Sequence, residues 1–129
     1  MIENLEQIFF EWLDKADADL AFATFAYKET SFFSHVCLLC QQAVEKYLKG
    51  LLVAKKVPLR KIHYTATLAE KCSKFNERFL DHIKDCKTLD KYYIPARYPV
   101  GIKLNISKTD AGKALEIARE ISLLVRESL

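Results

Sequence analysis

Glycine and proline are scarce in this chain. Only three glycines and three prolines occur among its 129 residues, and no Asn-Gly or Asp-Gly turn joins two alternating segments. So few turn signals argue against a sheet protein and favour long helices. Half of the residues are hydrophobic. We therefore expect residues 1–129 to fold as one domain that needs neither disulfides nor a metal for its core.

Long apolar runs are also missing. None approaches the roughly 18 residues that a membrane-spanning helix needs, and the acidic, periodic N-terminus is unlike a signal peptide. We expect a cytoplasmic protein with no membrane contact. In that compartment the four cysteines are reduced thiols.

Common signatures of phosphate loops and metal sites are absent as well. The chain has no G-x-x-x-x-G-K and no G-x-G-x-x-G motif. Its one C-x-x-C pair, Cys37 and Cys40, lies inside a helical pattern with no second pair, which favours core packing over zinc or redox chemistry. We predict no metal and no cofactor.

Charge is unevenly distributed along the chain. Residues 1–29 carry seven acidic and two basic side chains, whereas residues 46–108 carry 15 basic and five acidic ones. A basic middle is suited to a nucleotide, RNA or an acidic protein. The alternative interpretation is an ordinary solvated surface.

Hydrophobic periodicity predicts an all-α protein. We expect five helices, over about residues 3–28, 33–56, 65–74, 77–95 and 109–128. Either Thr65 or Thr67 is expected to cap the third helix, and Ser107 with Asp110 resembles a capping box for the last.

Several polar residues fall at informative positions on these helices. Asp19 lies in the apolar stripe of the first helix, so it needs a cation or hydrogen-bond donors unless a small rotation exposes it to water. On the second helix, Glu45 and Lys49 have the favourable i, i+4 order, and Lys46 lies beside them. This spacing predicts an exposed ion pair between Glu45 and Lys49. Asp90 projects onto the buried face of the fourth helix.

The helical spacing places Arg97 on that same face, near the point where Pro95 kinks or ends the fourth helix. His63 precedes the third helix. A solvated or capping role and a catalytic role are both open for this histidine.

Four segments together resemble the HEPN domain, the nucleotide-binding domain of higher eukaryotes and prokaryotes. They are Asp19-Leu20, the stretch QQAVEKYLK that ends at Lys49, His63 with Leu68 five residues later, and YIPARYP around Arg97. The resemblance spans roughly residues 10–127. It implies an up-and-down bundle of four or five helices, usually dimeric, often encoded beside a minimal nucleotidyltransferase.

Many members of that family are metal-independent endoribonucleases with an R-x(4–6)-H motif. Arg97 matches the arginine, but Ile102, Lys103 and Leu104 occupy the three positions where the histidine would stand. Loss of a general acid–base typically costs 10² to 10⁴-fold in rate. We therefore expect binding without cleavage.

The sequence thus predicts a nucleotide- or phosphate-binding domain of a toxin–antitoxin-like pair. Arg97 is the first candidate, because its guanidinium suits bidentate phosphate recognition and Asp90 or Asp19 can orient it. The further candidates are Glu45, Lys46, Lys49 and His63. Three alternatives remain: an Asp19–Arg97 ion pair that only fixes helix register, an endoribonuclease toxin, and a purely structural interaction module.

The second helix predicts assembly. Apolar residues extend well around its axis, so we expect some of them to stay uncovered in a monomer and to be buried by a two-fold partner. These residues are Leu38, Leu39, Leu52 and Val53. The alternative is that the fifth helix covers them within one chain.

Overall fold

A computed structural model describes residues 2–93 and 105–129 of the chain, and these residues form an all-helical bundle. The helices are α1 (Ile2–Glu29), α2 (Phe33–Ala54), α3 (Thr65–Cys72), α4 (Ile83–Asp90) and α5 (Lys108–Glu127), with a 3₁₀ helix (Glu77–His82) immediately before α4. The predicted all-α fold is confirmed. Within the described part of the chain, no helix combines the length and apolar character needed to cross a bilayer.

Helix α2 lies at the centre of the bundle and packs against every other α-helix. Its residues Val36, Val44, Tyr47 and Leu51 are fully buried. These four residues face the core of the bundle. Of the four residues among which some are predicted to stay uncovered, Leu52 is buried, at 1% exposure. By contrast, Leu38, Leu39 and Val53 remain partly exposed.

Helices α1 and α2 approach each other closely at Gly50. A Cβ atom added to this glycine would lie 2.8 Å from the Cβ of Trp12. The buried stripe of α1 runs through Phe9, Leu13 and Ala16, while Trp12 is only partly buried. Helical spacing predicts a stripe that includes Phe9, Trp12 and Ala16, so the buried stripe is rotated slightly from the predicted one.

The end of α2 shows how the chain turns without glycine. Lys56 adopts a φ of 62°, and its amide donates to the Val53 carbonyl, while the Val57 amide donates to Leu52. This is the Schellman pattern, in which glycine is the usual residue at the left-handed position. It ends α2 at Ala54, two residues before the predicted end.

The predicted fourth helix over 77–95 is wrong in its extent. Its first part is the 3₁₀ helix, which the Asn76 side chain caps by accepting from the Arg78 amide at 3.1 Å. Its α-helical part ends at Asp90, well before Pro95. The predicted contact face survives, since Phe79, Cys86 and Asp90 are buried.

The two predicted caps have different outcomes. The capping box is confirmed, because the Ser107 hydroxyl accepts from the Asp110 amide and the Asp110 carboxylate accepts from the Ser107 amide. No threonine caps α3, which begins at Thr65 after Tyr64 and ends at Cys72 rather than residue 74. A carboxylate from α4 takes the capping role, as described below.

Candidate phosphate-binding site

A polar cluster lies where α2 meets the loop before α3. Glu45 is its centre: one carboxylate oxygen accepts from the Lys49 ammonium at 2.8 Å and lies 3.3 Å from Nδ1 of His63. The Glu45–Lys49 pair is formed, but it is not the exposed pair we expected, since Lys49 is 8% exposed. A partly buried carboxylate between two nitrogen groups can orient the imidazole.

The imidazole of His63 also stacks on an aromatic ring. Its ring centre lies 5.5 Å from that of Tyr93, with 22° between the planes, and the ring of Tyr64 meets Tyr93 edge-on. Desolvation, followed by the charge of Glu45, raises the pKa of the Tyr93 hydroxyl. Tyr93 opens the YIPARYP segment, but no pattern in the sequence marks it as a site residue.

Buried polar groups of α2 and α4 hydrogen-bond to the backbone at and after His63. Gln41 is fully buried, and its amide nitrogen donates to the His63 carbonyl at 2.9 Å. The Asp90 carboxylate accepts from the backbone amides of Thr65 at 2.7 Å and Ala66 at 3.0 Å, and from the Thr65 hydroxyl at 2.8 Å. Asp90 therefore caps α3 and fixes the position of His63.

Asp19 has a cationic partner, one of the two kinds of partner predicted for it from its place in the apolar stripe. It forms an ion pair with Lys46 on α2. The Lys46 side chain keeps 31% of its surface exposed and that of Lys49 keeps 11%, so Lys46 is the more accessible of the two α2 lysines. Lys46 and Lys49 are three positions apart on α2, a spacing that makes their side chains neighbours on the helix surface, so the Asp19–Lys46 pair lies beside the Glu45–Lys49 pair.

A second polar network links α1, α2 and α5, and no sequence pattern indicated it. Arg126 donates twice to the Asp17 carboxylate, at 2.8 and 2.6 Å, and the Tyr47 hydroxyl donates to the same carboxylate. The Arg126 guanidinium also lies over the Tyr47 ring. These contacts join the last helix to the first two, so the network is best explained as a structural clamp.

The structure therefore brings six of the seven predicted residues into one region. Lys49 and His63 both contact Glu45, Lys46 pairs with Asp19 one helical turn before Lys49, and the Asp90 carboxylate supports the start of α3 after His63. Arg97, the first candidate of the sequence analysis, lies outside the described residues. Tyr93, four positions before it, is the last described residue on that side.

Comparison with known proteins connects this arrangement to one family. The family model described as the HEPN domain matches residues 10–128. A search of curated proteins gives no match.

Two solved structures are similar over nearly the whole chain. The first, ST0689, is described as an archaeal HEPN homologue; it is 27% identical, with 92% of this chain and 95% of that one covered and a TM-score of 0.76. The second, TT1696 from Thermus thermophilus, is 29% identical, with 94% and 98% covered and a TM-score of 0.82.

Proposed function

This chain belongs to the HEPN domain family, and we propose that it binds a nucleotide or another phosphate-bearing ligand beside His63. The observation that carries the proposal is the stack of His63 on Tyr93 next to the Glu45–Lys49 and Asp19–Lys46 pairs. Aromatic and imidazole faces are typical stacking platforms for nucleobases. Lysine and arginine side chains beside them are suited to the phosphate.

The residues take different roles in this proposal. Lys46 is the phosphate contact on α2, because its side chain is the more exposed of the two lysines. Lys49 stays on Glu45 and holds that carboxylate against His63. Arg97, four positions after Tyr93 in the sequence, supplies the guanidinium fork.

A thermal-shift screen with AMP, ATP and inorganic phosphate tests the proposal. A ligand that binds only the folded state raises the Tm. At a concentration one hundred times its Kd, it adds about 2.7 kcal/mol to the free energy of unfolding. We expect Arg97→Met and His63→Gln to remain folded and to lose the shift. Arg119→Met, which replaces an exposed arginine on α5, is the matched control and should keep it.

A second function, metal-independent RNA cleavage, is favoured by one specific observation. The family's histidine position is filled by Ile102, Lys103 and Leu104, but His63 provides an imidazole that a carboxylate orients at 3.3 Å. Cleavage that persists in EDTA and disappears in both His63→Gln and Arg97→Ala would establish an endoribonuclease. Intact structured and single-stranded RNA would leave binding as the function.

We also propose that the chain acts in a toxin–antitoxin-like pair with a minimal nucleotidyltransferase, as a homodimer. The family resemblance and the division between an acidic α1 and a basic middle support this assembly. Co-purification of the two subunits should weaken steeply as salt rises. If the complex forms while no nucleotide shifts the Tm, the chain is an interaction module instead.

A further inference from the structure

A histidine and two carboxylates meet at the junction of α4 and α5, away from the site described above. His82 ends the 3₁₀ helix, Asp85 lies in the first turn of α4, and Glu120 projects from α5. Nδ1 of His82 lies 3.7 Å from a carboxylate oxygen of Asp85 and 3.8 Å from one of Glu120. One ligand atom from each of the three residues lies within 4.8 Å of the other two.

The imidazole nitrogen at the centre of this cluster is not satisfied by the protein. Nδ1 of His82 is buried and has no hydrogen-bond partner among the residues that the structure describes. Both carboxylates lie beyond hydrogen-bond distance from it. A buried polar atom left without a partner costs about 1 to 3 kcal/mol, so native proteins rarely keep one without a reason.

From these observations we propose that His82, Asp85 and Glu120 bind a divalent transition-metal ion of the Zn²⁺ class. Zinc binds imidazole nitrogen and carboxylate oxygen at about 2.0 to 2.2 Å, which in tetrahedral geometry separates neighbouring ligand atoms by about 3.4 Å. The observed 3.7 and 3.8 Å are close to this spacing. Rotation of the exposed Glu120 side chain can bring its carboxylate oxygen the remaining few tenths of an ångström closer to Nδ1 of His82.

The charge and surroundings of the cluster fit the same ion. Two carboxylates balance a divalent charge, and the neutral imidazole adds a nitrogen ligand that zinc prefers over magnesium or calcium. A surface depression lined by Arg78, His82, Glu120 and Glu127 reaches the cluster. Arg78, which lines the same depression, pairs with Glu127 at 2.9 Å rather than with the carboxylates of the cluster. Bound metal would tie α5 to the start of α4.

Titration of the full-length chain with Zn²⁺, after removal of metal with a chelator, tests the site. Calorimetry in a non-coordinating buffer should show one saturable ion per chain. His82→Gln and Glu120→Gln should each weaken the affinity by more than about tenfold. Glu116→Gln, one turn earlier on α5 and exposed, is the matched control and should bind as the unmodified chain does.

A Co²⁺ spectrum identifies the ligands directly. We expect no thiolate-to-metal charge-transfer band, since all three ligands are nitrogen or oxygen. The proposal is overturned if no saturable binding is found, if His82→Gln and Glu120→Gln bind zinc unchanged, or if a thiolate band shows that cysteines hold the metal. In the first case the cluster is an ordinary histidine–carboxylate contact. Circular dichroism of each variant confirms that its fold is retained.

Discussion

The four cysteines illustrate at the residue scale how burial sets chemistry. All four are free and fully buried, which confirms the core-packing interpretation of the C-x-x-C pair. Burial raises the pKa of Cys37 to about 11 and those of Cys40, Cys72 and Cys86 to about 12, from an ordinary value of 9.0. Thiols of this kind are protonated and inaccessible, so they are poor nucleophiles and poor zinc ligands in the folded state.

This burial predicts a pH dependence of stability. As pH rises above 9.0, the unfolded thiols lose their protons while the folded ones keep theirs, so the free energy of unfolding falls. Between about pH 8 and 10 the loss is about 1.4 kcal/mol per thiol. Cys40→Ala should therefore reduce the total loss by about that amount in urea denaturation at the two pH values. Val44→Ala, a thiol-free truncation in the same helix, should leave the pH dependence unchanged, and an equal effect of both variants would contradict the account.

The sequence predicts which polar residues fall on buried helix faces better than it predicts the residues they bind there. Asp19 required a cation because helical spacing put it in an apolar stripe, but only the packing of α1 on α2 selects Lys46. Asp90 was expected on a buried face, yet its hydrogen bonds to Thr65, 25 positions away, depend on tertiary structure. The stack of His63 on Tyr93 is equally non-local, and no local pattern predicts it.

At the scale of elements, local signals determined which helix boundaries were predicted correctly. The capping box at Ser107 lies within four residues of sequence, so the start of α5 was predictable to one residue. The start of α3 was predicted but its cap was not, because the cap comes from another helix. The position of Pro95 predicted an end near residue 95, but α4 ends at Asp90, whose carboxylate accepts hydrogen bonds from the backbone of α3.

The close contact of α1 and α2 predicts an unusual glycine requirement. Replacing glycine by alanine at an exposed helix position stabilises the helix by about 1 kcal/mol. In Gly50→Ala, however, the new Cβ would lie 2.8 Å from the Cβ of Trp12. Overpacking of this kind typically costs about 1 to 3 kcal/mol, so we expect a net destabilisation. Urea denaturation measures it.

Gly112 provides the control for that experiment. A Cβ at this position meets only the hydroxyl end of the Tyr27 side chain, at 3.0 Å, which can move aside. We expect Gly112→Ala to keep or increase stability. If Gly50→Ala were as stable as the unmodified protein, the close approach of the two helices would be incorrect.

At the scale of the whole molecule, one apolar surface stands out. Phe22, Phe25 and Phe32 are each more than 60% exposed, and with His35 and Leu39 they line a groove between α1 and α2. Exposed apolar patches of this kind mark contact surfaces. We propose this groove as the homodimer interface; Leu39 lines it, whereas Leu52 is buried within the chain.

Light scattering at micromolar concentration tests this assembly. The unmodified chain should give a mass of about twice 14.9 kDa. Phe25→Glu should give a monomer, because a charge in the buried centre of an interface is strongly unfavourable. Leu80→Glu, which changes an exposed leucine on the 3₁₀ helix, should remain dimeric. A monomeric mass for the unmodified chain would exclude the homodimer.

The central claim is that this helical domain binds a phosphate-bearing nucleotide at the His63–Tyr93 stack and that Arg97 contributes to the affinity. Isothermal titration of ATP into the unmodified chain and into Arg97→Met tests it most directly. The account predicts saturable binding to the first and a loss of more than about tenfold in affinity, equivalent to about 1.4 kcal/mol, in the second. Equal ATP affinity of the two proteins, or no binding to either, would contradict it.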